Sequence, residues 1–73
     1  MPTIIQNIER AISERGLKKK YVADKAGYSP QQFSDLLSGR RVLKAIDISK
    51  IARALDVSPN ELFREIQSDQ ERR

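Results

Sequence analysis

The sequence predicts an all-α domain built from five short helices. Three observations carry this: apolar residues recur three and four positions apart in each apolar segment, no stretch alternates apolar and polar long enough to make a strand, and no Asn-Gly or Asp-Gly hairpin turn occurs. A chain of 73 residues has room for one core only. That core must offset an ordering entropy of roughly 1.5 kcal/mol per residue, so modest stability is expected unless a partner subunit adds buried surface.

Ile5, Ile8, Ala11 and Ile12, with Ile4 alongside, set the first helix over residues 4–15, and Gly16 closes it in a left-handed cap. Leu17 then packs back. The second helix spans 19–26, with Val22, Ala23 and Ala26 on one side, Tyr21 near its edge and Lys18, Lys19 and Lys25 outside. Gly27 ends it. Ser29-Pro30-Gln31-Gln32 starts the third helix, because Ser29 can cap the N3 amide, Pro30 needs no N–H at N1, and Gln32 can close a capping box. This helix covers 30–38, buries Phe33, Leu36 and Leu37, and stops at Ser38-Gly39. Ile48, Ile51, Ala52 and Leu55 define a fourth helix over 46–55. Ser58-Pro59-Asn60-Glu61 repeats the capping grammar and opens a fifth over 59–66, with Leu62, Phe63 and Ile66 apolar. A domain over 1–66 and a polar C-terminal tail over 67–73 follow.

The missing residues exclude much chemistry. Without cysteine there are no disulfides, no thiolate catalysis and no Cys-ligated metal; without histidine the usual general base and zinc ligand are gone. Glu61 and Glu65 lie four apart, but nothing near them supplies a nucleophile or a metal cage, and a role at the positive helix start suits them better. The expectation is a protein that is not an enzyme, with no cofactor, no metal and no small-molecule substrate. No apolar run approaches the roughly 20 residues that span a bilayer, and the N-terminus carries Glu9 and Glu14 among its apolar pairs, unlike a signal or transit peptide. No membrane association and a cytoplasmic location are expected.

Charge is segregated. Residues 15–44 hold Arg15, Lys18, Lys19, Lys20, Lys25, Arg40, Arg41 and Lys44 against Asp24 and Asp35 only, a net +6, while the rest of the chain carries −2. A positive middle with acidic ends fits a one-sided phosphate-binding surface better than a uniformly solvated one.

The second and third helices, joined by Gly27-Tyr28-Ser29, fit a helix-turn-helix unit, although an αα-hairpin of purely structural purpose meets the same spacing. Ala23 is small where the helices cross, Gly27 permits positive φ, and Val22, Tyr28, Phe33 and Leu36 supply a shared core. At about 100° per residue from Phe33, Gln31, Ser38 and Asp35 project at about 160°, 140° and 200°, with Gln32 and Ser34 on the flanks. Short polar groups of this kind can pair with base edges: a Gln amide with adenine N6 and N7, a carboxylate with cytosine N4. Tyr21 and Tyr28 are read as half-buried core and turn packing, because two tyrosines make a poor stacking platform for single strands.

The segment GLKKKYVADKAGYSPQQFSDLLSGRR, continued by IDISKIARALDVSPNELF, resembles the lambda-repressor-like (Xre) family over residues 4–66. Gly16-Leu17, Val22-Ala23, Gly27, Ser29, Ser38-Gly39-Arg40 and the run Ile51 to Ser58 carry the likeness. The resemblance implies a five-helix domain that regulates transcription as a homodimer on a palindromic double-stranded DNA operator. It implies base contacts from Gln31, Gln32, Ser34 and Asp35, and phosphate contacts from Lys19, Ser29, Arg40, Arg41 and Lys44; Lys18 and Lys20 could be solubility charge, but on the N-terminal edge of the second helix the run Lys18-Lys19-Lys20 is better placed for phosphate. Departures are Lys18 for the usual hydroxyl cap, Pro30 at a position that often meets DNA, Leu37 for an acidic residue, Asp56 for glycine, and no proline after the Arg pair. Phe63 and Ile66 either finish the core or form a dimer interface, and the dimer reading is the one adopted. The expected biology is a small repressor of phage, mobile-element or bacterial-operon type. The alternatives are an antitoxin or restriction controller of the same fold, and an interaction module that has lost DNA binding.

Overall fold

The computed structural model describes residues 3–63, which form five helices in chain order: α1 (Thr3–Glu14), α2 (Lys19–Ala26), α3 (Pro30–Ser38), α4 (Ala45–Leu55) and α5 (Pro59–Leu62). No strand occurs among the described residues. The last helix, expected to run to residue 66, has its C-cap at Phe63; residues 64–66, Ile66 among them, and the tail 67–73 lie outside the described residues.

Each boundary has a local cause. Gly16 (φ 67°), Gly27 (φ 92°) and Gly39 (φ 88°) end the first three helices in the left-handed region, where a Cβ would be strained. Asp56 does the same after α4 at φ 61°, a conformation its short polar side chain tolerates. At the start of α3 the Ser29 hydroxyl accepts from the Gln32 N–H (3.1 Å) while Gln32 Oε1 accepts from the Ser29 N–H (2.9 Å), a complete capping box. The second Ser-Pro start differs from expectation. Ser58 sits at the N-cap of α5 without a side-chain cap bond, because the Glu61 N–H is taken by the Ser58 carbonyl at 3.0 Å in a tighter turn. Helix α4 begins one residue earlier than expected, since Asp47 accepts from the Lys44 N–H at 2.9 Å and satisfies the helix start.

Ile5, Ile8 and Ile12 of α1, Val22 and Ala23 of α2, Phe33, Leu36 and Leu37 of α3, Ile51 and Leu55 of α4 and Leu62 of α5 share one buried core. Burying each large aliphatic or aromatic side chain is worth about 1.5–3 kcal/mol. Helix α2 packs on both α3 and α4, so the helix pair is braced from behind. Asn7, buried in α1, donates from Nδ2 to the Leu62 carbonyl at 2.9 Å and ties the first helix to the last.

Candidate nucleic-acid interface

The turn between α2 and α3 determines how α3 is presented. Gly27 reverses the chain, and the Tyr28 N–H returns to the Ala23 carbonyl at 2.8 Å. Ala23 is fully packed there, and a larger side chain would push the two helices apart. The Tyr28 ring is buried and lies against Phe33, with centroids 6.1 Å apart. Its hydroxyl donates to Asp47 Oδ1 of α4, and Lys50 Nζ stands 5.5 Å from its ring centroid. Helices α3 and α4 therefore converge on one side chain in the turn, whose backbone is tied to α2.

Asp47 was not singled out by sequence, yet it is the buried acid of the domain's described part. Burial opposes its charge, but the Tyr28 hydroxyl, the Lys44 N–H and the cations of Arg41 and Lys50 outweigh that cost and hold the carboxyl below its ordinary 3.8. For Tyr28, burial first and then the bond to Asp47 push the phenol well above its ordinary 10.0. A signal existed: Asp47 stands four residues before Ile51, in line with the apolar stripe of its helix.

On α3 the side opposite Phe33, Leu36 and Leu37 is open. Gln31, Gln32, Ser34 and Ser38 are exposed and Asp35 is partly so. Their polar atoms are not equally free. Gln32 Oε1 is committed to the capping box, leaving its Nε2 to donate outward. Gln31 Nε2 donates to Asp35 Oδ1 at 3.0 Å, and Ser38 Oγ donates back to the Asp35 carbonyl at 3.2 Å. Pro30 and Ser34 of α3 share a groove with Lys19 and Lys20 of α2, so the start of the second helix and the outer side of the third form one surface.

The cations flank that surface on two sides. Lys18, at the N-cap of α2, makes no side-chain cap bond, which leaves the first amides of the helix open as well as its own ammonium. Lys19, largely in solvent, pairs weakly with the partly covered Glu9 of α1 at 3.8 Å, and Lys20 is exposed. On the other side, Arg40, Arg41 and Lys44 are exposed in the segment between α3 and α4. The Arg40 and Arg41 N–H groups both return to the Asp35 carbonyl, at 3.0 and 3.2 Å, which folds this basic segment against the end of α3. Ser29, whose hydroxyl accepts the cap bond, keeps its proton for an outside acceptor.

The two tyrosines differ in burial. Tyr28 is buried, but Tyr21 is 48% exposed, its hydroxyl accepting from Lys25 Nζ at 3.3 Å. It follows the Lys18–Lys20 run and shares a groove with Tyr28 and Pro30. Phe63 is also exposed, at 58%, whereas Leu62 beside it takes the core position. Among the described residues no three His, Cys, Asp or Glu side chains gather as metal ligands would, and no helix is long and apolar enough to cross a membrane.

A family model described as helix-turn-helix matches residues 8–62, from the first helix to the last. The chain belongs to the helix-turn-helix family. Within it the domain is of the Xre or lambda-repressor-like type, and the protein is a DNA-binding transcriptional regulator. Among solved structures, this helix-turn-helix domain is similar to the restriction-modification controller protein C.AhdI from Aeromonas hydrophila. The TM-score is 0.76 at 28% identity, over 84% of this chain and 92% of that one. No curated protein matches the chain.

Proposed function

We propose that the protein reads a palindromic duplex operator as a homodimer and acts there as a small repressor in the cytoplasm, without catalysis. The observation that carries this reading is the open polar side of α3, bearing Gln31, Gln32, Ser34 and Asp35, between two sets of exposed cations. Lys18, Lys19 and Lys20 lie at the start of α2, and Arg40, Arg41 and Lys44 follow α3. Polar side chains without lysine or glutamate suit base edges, and the flanking cations and the Ser29 hydroxyl suit the two phosphate strands of a major groove. The domain assignment is residues 1–66, with 67–73 as a polar extension.

Support for a second copy comes from an apolar groove that borders the basic segment after α3. Ile4, Val42, Leu43, Ile48 and Phe63 line an open apolar groove, and Val42 is 75% exposed. Apolar surface of this kind calls for a partner, and Phe63 is assigned to it; Ile66, the other residue of the expected dimer interface, lies outside the described residues. Two-fold pairing would set the reading helices about 34 Å apart, one turn of DNA. The likeness to a restriction-modification controller favours a second reading, control of a restriction operon, which uses the same operator chemistry.

Selection of bound sequences from random duplex DNA tests the proposal. The expected winner has two inverted half-sites with centres about 10 bp apart. A winner with a single half-site would remove the dimer, and no enrichment at all would favour an interaction module.

A further inference from the structure

Asp35 stands at the centre of the reading surface, and its bonds run inward along the protein. Its carboxylate accepts from Gln31 Nε2 at 3.0 Å, one helical turn earlier, and the same Oδ1 lies 3.6 Å from Arg40 Nη1. Its carbonyl accepts from the Arg40 and Arg41 N–H groups and from Ser38 Oγ. One residue thus joins the foremost candidate base reader to the basic segment that follows α3.

A carboxylate only accepts hydrogen bonds, so the Gln31 amide must turn its nitrogen, not its oxygen, toward Asp35. An unrestrained glutamine amide can flip and present donor and acceptor in either order. Here one N–H is spent on Asp35, and the second N–H and Oε1 remain in a fixed order, the pattern that adenine N7 and N6 require. The Arg40 guanidinium, 74% exposed at its side chain, is held near the end of α3 and shares its charge with Asp35. We infer that Asp35 is a positioning residue, which sets the polarity of the Gln31 amide and restrains Arg40, and does not itself read a base. The inference rests on the reading of α3 as the base-contacting helix.

The test compares the full chain with Asp35→Ala, Asp35→Asn, Gln31→Ala and the double variant Gln31→Ala/Asp35→Ala, by sequence selection followed by equilibrium binding to each base substitution. Asp35→Ala should lose about tenfold of preference at the same base pair that Gln31→Ala relaxes, within the range for one bidentate contact. The double variant should lose no more than Gln31→Ala alone. Asp35→Asn retains an acceptor oxygen and should restore that preference, while both Asp35 variants should bind random duplexes more tightly as Arg40 is released. Without DNA, the Gln31 side-chain amide proton that faces Asp35 should be displaced from its ordinary free-glutamine position in the NMR spectrum of the parent and of Asp35→Asn, and return to it in Asp35→Ala.

Loss of preference at a different base pair, additive with Gln31→Ala, would make Asp35 a reader and overturn the inference. Unchanged preferences with tighter binding to every duplex would reduce it to phosphate repulsion and overturn it equally. A parent chain that enriched no sequence would instead remove the DNA-reading proposal, and unchanged Gln31 amide shifts in Asp35→Ala would remove the inference independently of DNA.

Discussion

Tyr28 in the turn of the helix-turn-helix donates its hydroxyl to Asp47 in the first turn of α4, 2.5 Å away and 19 residues later in the chain. This bond, with the Tyr28–Phe33 ring contact, links the element that aims α3 to the helix that braces α2. The orientation of α3 is thereby coupled to the start of α4, where Lys44 and the nearby Arg41 present their charges.

Replacing Tyr28 with Phe keeps the ring and removes the hydroxyl. Asp47 would retain the Lys44 N–H as a donor but lose its buried partner, a change that costs about 1–3 kcal/mol. Urea denaturation should show a lower midpoint at unchanged slope. An unchanged midpoint would mean that the bond contributes nothing net.

The Asp47 carboxyl is lowered in the folded state, so between its folded value and the ordinary 3.8 the unfolded chain binds more protons. The stabilisation is complete above the ordinary value and is lost as pH falls through the folded one. Stability measured on acidification from pH 5 should therefore drop below about pH 4, and Asp47→Asn should flatten that drop while lowering stability at neutral pH. Tyr28 has the opposite sign: its raised phenol stabilises fully below 10.0 and loses that contribution as pH rises toward its folded value.

Asp56 is the one non-glycine residue at positive φ among those described. An L-residue there pays for left-handed backbone, and Asp only reduces the penalty. Asp56→Gly should raise stability by about 0.5–1 kcal/mol, read as a Tm increase of about 4–8 °C per kcal/mol. A decrease would show that its side chain makes a compensating interaction.

Readers and anchors should fail differently on DNA. Gln31→Ala should cost about 1–3 kcal/mol on the selected operator and leave random duplexes almost unaffected. Arg40→Ala or Lys19→Ala should weaken all duplexes alike and reduce the salt slope by about one counterion per lost contact per subunit. Equal factors on both kinds of DNA for all three variants would reject the division of labour.

Phe63→Ser, alone and with Ile66→Ser, tests the apolar groove. Sedimentation should shift toward the monomer while helical content holds, because Leu62 and not Phe63 fills the core. Unchanged sedimentation would move the dimer surface elsewhere.

By itself the sequence determined the number and order of the helices, their glycine stops, the Ser29 capping box and the inner and outer sides of α3. These depend on residues three or four apart, or on one residue's backbone preference, so spacing alone decides them. Even the Gln31–Asp35 bond obeys that local rule. What only the tertiary structure decided are relationships across the chain: the partnership of Tyr28 with Asp47, that of Asn7 with the Leu62 carbonyl, and how far Tyr21 is exposed. A buried acid such as Asp47 is legible as an interruption of an apolar stripe, but its partner is not. A phenol and a carboxylate 19 residues apart meet only when α2, α3 and α4 have packed, because burying either without the other would leave an uncompensated polar group in the core.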